Sequence, residues 1–175
     1  PVGGGVRKIS DIQNLLHAGA DKVSINTTAV TNRNFVKEAA EKYGTSTIVI
    51  AVDAKNNSQK SWEVFTHGGR NATGIDVVDY CNEVASLGAG EILLTSMDKD
   101  GTKSGFDIEL LKKITSSVNI PVIASGGVGT LEHFAEGILQ GGVNSVLAAS
   151  VFHFGQFKIQ DVKRYLADKN IPVRI

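Results

Sequence analysis

The amino-acid sequence predicts an α/β protein with a parallel sheet, and three observations support that class. Helix patterns with apolar residues on one face alternate with short strand patterns along the 175 residues. The run TIVIAVDAK at 47–55 is nearly unbroken and β-branched, which is typical of a strand buried on both faces of a parallel sheet. The glycine turn of PVGGGV at 1–6 also recurs as ASGGVG at 124–129, so the two halves of the sequence share a pattern.

This internal repeat favours a barrel over an open sheet. Gly126 lies 122 positions after Gly4, and at nearly the same offset GADKVSINTTAV (19–30) recurs as GGVNSVLAASVF (141–152). A doubled unit of roughly 245 residues is close to the typical length of a (β/α)8 TIM barrel. We therefore expect two homologous half-barrels, with 1–175 as a single incomplete domain that holds strands three to eight and lacks about the first two strand–helix units. A flavodoxin-like doubly wound sheet is the alternative fold, which accounts for six strands but not for the repeat.

The elements of the first part of the chain are predicted in order. SDIQNLLHAGA (10–20) predicts a helix with Ser10 at its N-cap and Gln13 at the capping-box spacing. KVSIN (22–26) predicts a short strand, and NRNFVKEAAEKYG (32–44) predicts a helix that its final glycine ends.

The later elements continue the alternation. SWEVFTHGG (61–69) alternates apolar and polar residues, which indicates a hairpin before a helix at 75–87. Three further buried strands are predicted, each with a helix behind it, and they are EILLTSM (91–97), IPVIASGG (120–127) and SVLAAS (145–150).

Composition disfavours several classes of partner. Lysine plus arginine equals aspartate plus glutamate at 18 each, and without a basic run a nucleic-acid or membrane-surface partner has little support. Cys81 is the single cysteine, which rules out an internal disulfide and fits a reducing compartment. No apolar stretch approaches the roughly 18 residues of a membrane span. We expect a cytoplasmic protein.

The two glycine turns predict phosphate-binding sites. Both lie after a strand, where (β/α) barrels carry their chemistry, and glycine lets the backbone approach a ligand beside the N–H groups of the next helix. Small side chains and free backbone amides follow neighbouring strands in both halves, at Asn26 and Thr27 in one and at Ala149 and Ser150 in the other. A lone GG usually makes only a tight turn, but recurrence with the same hydroxyl partner favours two phosphate sites. These imply a substrate with a phosphate at each end.

Two acidic stretches lie between these turns in the chain. Asp53 ends an otherwise apolar strand, where a carboxylate is costly to bury without a role, although a turn cap is the alternative. TSMDKDGTKSG (95–105) resembles a calcium loop loosely but lacks the glutamate that such a loop requires. The four histidines are scattered without metal-ligand spacing, so we expect neither a metal site nor another cofactor.

Six segments together resemble the cyclase subunit of imidazole glycerol phosphate synthase, an enzyme of histidine biosynthesis. They are VGGGVR, GADKVSINT, AVDAK, TSMDKDGTKSGFD, ASGGVG and LAASVFHF, in family order over essentially the whole chain. The sister isomerase of the same pathway shares the barrel, the two phosphate sites and a related RDGT-like loop. AVDAK and EVFTHGGRNATGID resemble the cyclase more closely, so the isomerase is the alternative.

The resemblance implies a reaction and its residues. Ammonia from a glutaminase subunit attacks phosphoribulosyl-formimino aminoimidazole carboxamide ribonucleotide, which yields imidazole glycerol phosphate and aminoimidazole carboxamide ribonucleotide. Two aspartates, at the ends of strands one and five, act as general acid and base, and the second of them matches Asp53. The positions that match substrate and phosphate contacts are Gly5, Asn26 and Thr27 at one end, Gly101, Gly127, Ala149 and Ser150 at the other, and Thr95, Asp100 and Ser125 between them.

On the opposite face of the barrel, the resemblance implies an ammonia entrance. Lys22 and Glu91 match members of its charged ring, and Asp21 matches an aspartate that faces the glutaminase. All three precede or begin strands, as an entrance at the bottom of the barrel requires. Ordinary solvated charge is the alternative interpretation.

The strand-one aspartate of the family should lie before residue 1, since the repeat places it 122 positions ahead of Asp53. Acid–base catalysis of this kind needs two groups, so we expect residues 1–175 alone to be inactive or severely impaired. A phosphate-binding or glutaminase-docking fragment without catalysis is then the alternative function. Open sheet edges would also favour pairing with another chain.

Overall fold

The fold is seen in a computed structural model that describes residues 1–57 and 61–174. Within these residues, eight strands form one sheet. In chain order they are β1 (Val2–Gly3), β2 (Val23–Ile25), β3 (Ile48–Asn56), β4 (Trp62–Thr66), β5 (Asn71–Asp76), β6 (Glu91–Ser96), β7 (Val122–Ser125) and β8 (Ser145–Val146).

Helices alternate with these strands. They are α1 (Ile9–His17), α2 (Thr27–Thr31), α3 (Arg33–Tyr43), α4 (Val77–Ser86), α5 (Ile108–Thr115), α6 (Leu131–Leu139), α7 (Ser150–His153) and α8 (Ile159–Asp168), with a 3-10 turn at Thr45–Thr47.

The strand order confirms the α/β class and the barrel type of sheet. Six strands are parallel and lie in the order β1-β2-β3-β6-β7-β8, so each is hydrogen-bonded to the next parallel strand along the chain. A doubly wound sheet reverses its strand order at a switch point, and this sheet has no such reversal, so that alternative is wrong. Among the described residues β1 pairs only with β2 and β8 only with β7, which leaves the sheet open between β1 and β8.

The predicted hairpin is confirmed, but the helix after it begins later than expected. β4 runs antiparallel to β3 and then to β5. Ile75 lies in β5, and the helix predicted at 75–87 starts at Val77. Its start is fixed by Asp76, whose carboxylate accepts the backbone N–H of Val78 at 2.7 Å.

The capping box predicted for the first helix is wrong. α1 begins at Ile9, so Ser10 lies inside the helix, and Gln13 does not take part in the capping box. Instead the carboxylate of Asp11 accepts the backbone N–H of Lys8 at 3.0 Å. A carboxylate in the first turn also meets the positive end of the helix, which a serine hydroxyl does not exploit.

The two faces of the parallel sheet have different surroundings. Ile48, Ile50 and Val52 of β3 are buried in the main hydrophobic core. Val49, on the opposite face of the strand, and Ile123 of β7 are buried too, but they lie outside that core cluster. Since side chains alternate along a strand, one face packs against the helices and the other lines the inside of the sheet.

Candidate functional site

A cavity of about 420 Å³ lies at the carboxyl ends of the first three parallel strands. Gly5, Asn26 and Thr27, which were assigned to one phosphate site, all line it. Gly4 and Gly5 take φ of 109° and 70°, and a Cβ added to either would meet no atom within 4 Å. Glycine is therefore favoured here by the backbone turn rather than by lack of space.

A second cavity, of about 120 Å³, lies at the carboxyl ends of β6, β7 and β8. The structure brings six predicted residues together around it, namely Asp100, Gly101, Ser125, Gly127, Ala149 and Ser150. Its glycine turn is held by a hydrogen bond from the Gly105 N–H to the Gly127 carbonyl oxygen at 2.8 Å. Gly126 takes φ of 97°, and a Cβ there would lie 2.8 Å from the Ser96 carbonyl oxygen. These glycines thus allow close packing as well as a turn.

Asp53 and Asn26 form a hydrogen-bonded pair beside the first cavity. The Asn26 Nδ2 donates to Asp53 Oδ2 at 3.0 Å. Burial raises the pKa of Asp53, the hydrogen bond from Asn26 opposes this rise, and the nearby charge of Asp100 adds to it. The Asn26 Oδ1 is itself buried and has no hydrogen-bond partner within the part of the chain that the structure describes.

Strand register places Asp53 in a row that leads from one cavity to the other. Asp53 of β3 is the direct neighbour of Thr95 of β6, which is the direct neighbour of Ser125 of β7. Asn26 lines the first cavity and holds one end of the row, while Ser125 lines the second cavity at its other end. Thr95 lines neither cavity and lies between them. The row is therefore a line of polar groups that a long ligand can follow.

Lys22 and Glu91 meet at the opposite end of the strands. The Lys22 Nζ lies 2.8 Å from Glu91 Oε1 and donates at 2.8 Å to the Ser46 carbonyl oxygen. Both side chains are partly exposed, so the pair contributes little to stability. Asp21 is exposed in the turn just before β2. The structure thus places these three residues at the amino ends of the strands, away from both cavities.

Asp98, from the acidic stretch after β6, has a structural contact. Its Oδ2 accepts the backbone N–H of Asn56 at 2.7 Å, which joins the loop after β6 to the end of β3. No group of three histidine, cysteine, aspartate or glutamate side chains that could hold a metal occurs among residues 1–57 and 61–174. In the same residues no helix is both long and apolar enough to cross a bilayer.

Sequence reasoning missed three cavity residues that carry cationic or hydrogen-bonding side chains. Arg7 and His67 line the first cavity, and Lys103 lines the second. Arg7 and Lys103 each lie two residues after a predicted glycine, so their positions in the sequence could have identified them as cavity residues. His67 reaches the cavity only because the β4–β5 hairpin folds back, and no local pattern indicates that.

The sequence also matches a known protein family. Residues 1–158 match the model of a family described as histidine biosynthesis protein, which takes in both cyclase-type and isomerase-type members. The match covers most of the chain and both cavities. It confirms the resemblance at the level of the pathway, and the chain belongs to the histidine biosynthesis protein family of enzymes.

Proposed function

We propose that this protein carries out the cyclase step of histidine biosynthesis. In that step ammonia reacts with phosphoribulosyl-formimino aminoimidazole carboxamide ribonucleotide, and the products are imidazole glycerol phosphate and aminoimidazole carboxamide ribonucleotide. The observation that carries the proposal is the polar row Asn26–Asp53–Thr95–Ser125, which runs between two cavities lined by glycines and hydroxyl groups. This arrangement suits a ligand with a phosphate at each end and its reacting atoms near the middle.

Each cavity offers groups that suit a phosphate. Backbone N–H groups at glycine turns and small hydroxyl side chains donate hydrogen bonds to phosphate oxygens, and both cavities have them. A cationic side chain is present in each, Arg7 in the first and Lys103 in the second. In our proposal the two cavities bind the two ends of the substrate and so fix the position of its centre over Asp53.

Asp53 is the group that we propose moves a proton. A raised pKa lets a carboxyl group hold a proton closer to neutral pH than an ordinary aspartate does, which suits general acid–base chemistry. Asn26 fixes one carboxylate oxygen through its amide N–H, so it is a positioning residue for Asp53. A second carboxylate on another strand would complete the acid–base pair that the resemblance implies.

The same proposal assigns the amino ends of the strands to a glutaminase subunit that supplies ammonia. Asp21, Lys22 and Glu91 lie there, on the side of the sheet away from both cavities. Ammonia made at that end would reach the substrate along the inner face of the sheet.

The test is turnover by the full-length gene product and its Asp53→Asn variant, with ammonium chloride as the nitrogen source. We expect the variant to lose about 10²–10⁴-fold in kcat, because general acid–base catalysis contributes on that order. Asp161→Asn, on the exposed start of α8, is the matched control and should leave kcat unchanged. Formation of the imidazole product is followed by chromatography.

The outcomes separate the candidate functions. Imidazole product that appears only with ammonia supports the cyclase. Conversion of the substrate to an isomer without any need for ammonia would instead identify the isomerase, which shares the two-cavity arrangement. An Asp53→Asn enzyme with full activity would remove Asp53 from the mechanism.

A further inference from the structure

The tip of the β4–β5 hairpin forms one wall of the first cavity. β4 pairs antiparallel with the last part of β3, with Phe65 opposite Asp53, so the chain returns toward the cavity as it approaches the turn. His67 and Gly68, at that turn, line the same cavity as Gly5 and Thr27. The tip of the hairpin is therefore part of the cavity wall.

A hydrogen bond ties this tip to the strand ends. The backbone N–H of His67 donates to Thr27 Oγ1 at 3.1 Å. Because the hydroxyl oxygen accepts this bond, the hydroxyl proton of Thr27 is left to point toward another acceptor. A phosphate oxygen in the cavity is such an acceptor, so a ligand and the hairpin can use the same side chain at once.

The backbone of His67 is in an unusual conformation. Its φ is 55°, in the left-handed region, and the next two residues, Gly68 and Gly69, have φ of 66° and 79°. A non-glycine residue in this region costs on the order of 1 kcal/mol. A third glycine would form this turn with less backbone strain. The conformation of the turn therefore does not explain why histidine occupies position 67.

The hydrogen bonds of the ring determine which nitrogen carries the proton. The Asn71 Nδ2 lies 3.3 Å from His67 Nδ1, and the Thr66 Oγ1 lies 3.1 Å from it. An amide nitrogen is only a donor, so Nδ1 accepts from Asn71, and the N–H that remains for other partners is on Nε2. The hydrogen bonds among residues 1–57 and 61–174 leave this Nε2–H without a protein acceptor.

We propose that His67 is a substrate-binding residue that donates its Nε2–H to a phosphate monoester in the first cavity. His67 lines this cavity, the amide nitrogen of Asn71 favours the tautomer with the proton on Nε2, and Thr27 links the hairpin to the strand ends. This inference rests on the proposed function, because it takes the first cavity to be a phosphate site. It adds a ligand contact from an element that the strand-end pattern does not include.

The first experiment titrates the protein with glycerol 3-phosphate and follows the backbone amides of Gly5 and Thr27 by NMR. His67→Asn keeps the backbone N–H and tolerates the left-handed conformation but lacks the ring nitrogen. We expect it to weaken binding roughly tenfold or more, as the loss of a hydrogen bond to a charged group does. His17→Asn, on an exposed histidine at the end of α1, is the matched control and should bind like the wild type. Thermal unfolding of each variant verifies that it is folded.

The possible results distinguish a failure of the His67 inference from a failure of the proposed phosphate site. Wild-type protein whose Gly5 and Thr27 amides do not respond to glycerol 3-phosphate would overturn the phosphate site and the role of His67 together. A wild type that binds and a His67→Asn variant that binds equally well would overturn the role of His67 and leave the phosphate site standing. Weaker binding in His67→Asn alone supports both.

A second experiment tests the link through Thr27. Thr27→Val removes the acceptor of the His67 N–H, whereas Thr27→Ser keeps it. We expect amide hydrogen exchange at residues 67–69 to accelerate in Thr27→Val and to stay near the wild-type rate in Thr27→Ser. Equal exchange in all three proteins would show that this bond does not hold the hairpin.

Discussion

The environment of Asp53 favours its neutral form. Burial raises its pKa above the ordinary value of 3.8, the charge of Asp100 raises it further, and one hydrogen bond from Asn26 opposes both effects. A carboxylate in this position costs folding energy at neutral pH, because the folded state binds a proton more tightly than the unfolded chain does. In our proposal, this cost accompanies the use of Asp53 for proton transfer.

Asp53→Asn should therefore be more stable than the wild type near neutral pH. Since the folded-state pKa is raised, the wild type loses stability as pH rises from about the unfolded value of 3.8 to the folded one. The gap between the two proteins should open across that window and then stay constant. Urea unfolding at a series of pH values measures it. A gap that shrinks as pH rises would mean that the pKa of Asp53 is lowered on folding.

Gly5 in the first cavity and Gly127 in the second both lie in a turn with positive φ, but the space around their Cα atoms differs. Gly5 has φ of 70° and open space around its Cα, whereas Gly127 has φ of 97° and is buried. A Cβ at Gly127 would fall on the carbonyl oxygen of Gly105. Only the second glycine is therefore required by packing as well as by conformation.

Alanine substitutions should reveal this difference. Gly5→Ala should lower the free energy of unfolding by about 1 kcal/mol, because alanine is strained in the left-handed backbone conformation. Gly127→Ala should cost more than about 2 kcal/mol, because the clash with Gly105 adds to the strain. Chemical denaturation of both variants tests the comparison, and equal losses would contradict it.

At the scale of elements, Asp107 joins three parts of the structure. Its Oδ2 accepts the Trp62 Nε1–H of β4 at 3.1 Å and the Ser96 hydroxyl of β6 at 3.2 Å. Its Oδ1 accepts the backbone N–H of Leu110, which caps α5. The hairpin that walls the first cavity is thus anchored to the strand and helix beside the second.

Asp107→Ala should be strongly destabilising. It removes a helix cap and leaves the buried Trp62 and Ser96 donors without their acceptor, so we expect a loss of about 2–4 kcal/mol. Fluorescence of Trp62, the single tryptophan of the chain, should also change in the folded state. Asp161→Ala is the control, because Asp161 caps an exposed helix end and should cost only about 1 kcal/mol. Similar losses in the two variants would show that Asp107 acts as a cap alone.

The sequence predicted elements best where burial determined the pattern. The β-branched run at 47–55 became β3, and its first residues, Ile48 to Ile50, are buried on both faces. The run at 145–150 was predicted as a strand, but only Ser145 and Val146 pair with β7, since the chain turns into α7 at Ser150. Apolar character alone does not show where pairing stops.

The sequence also predicted which strand-end residues lie together, but not every residue that lines the cavities. Residues grouped by the repeat fall into two cavities, because equivalent strand ends of parallel strands lie at the same edge of the sheet. His67 was not predicted, because its place depends on the antiparallel register of β4 and on a hydrogen bond to Thr27. Contacts of this kind arise from tertiary folding and leave no local pattern.

At the scale of the whole molecule, the parallel part of the sheet has two open edges among the described residues. β1 and β8 each have one strand neighbour, and Val2 on β1 is 48% exposed. Unpaired N–H and C=O groups along such edges are available to the strands of another chain.

A polypeptide of residues 1–175 should therefore self-associate. Sedimentation velocity at micromolar concentrations should show dimers or larger species, and their fraction should grow with concentration. A lysine in place of Val2 should reduce association, because a charge on an edge strand opposes pairing. A monomer at every concentration would contradict this prediction.

The two cavities are built from separate stretches of chain. Residues that line the first fall between Gly4 and Gly68, and those that line the second fall between Asp100 and Ser150. Because proteins are synthesised from the amino end, the ribosome completes every residue of the first cavity before it adds any residue of the second. The residues of the first cavity are therefore free to begin folding while those of the second are still to be added.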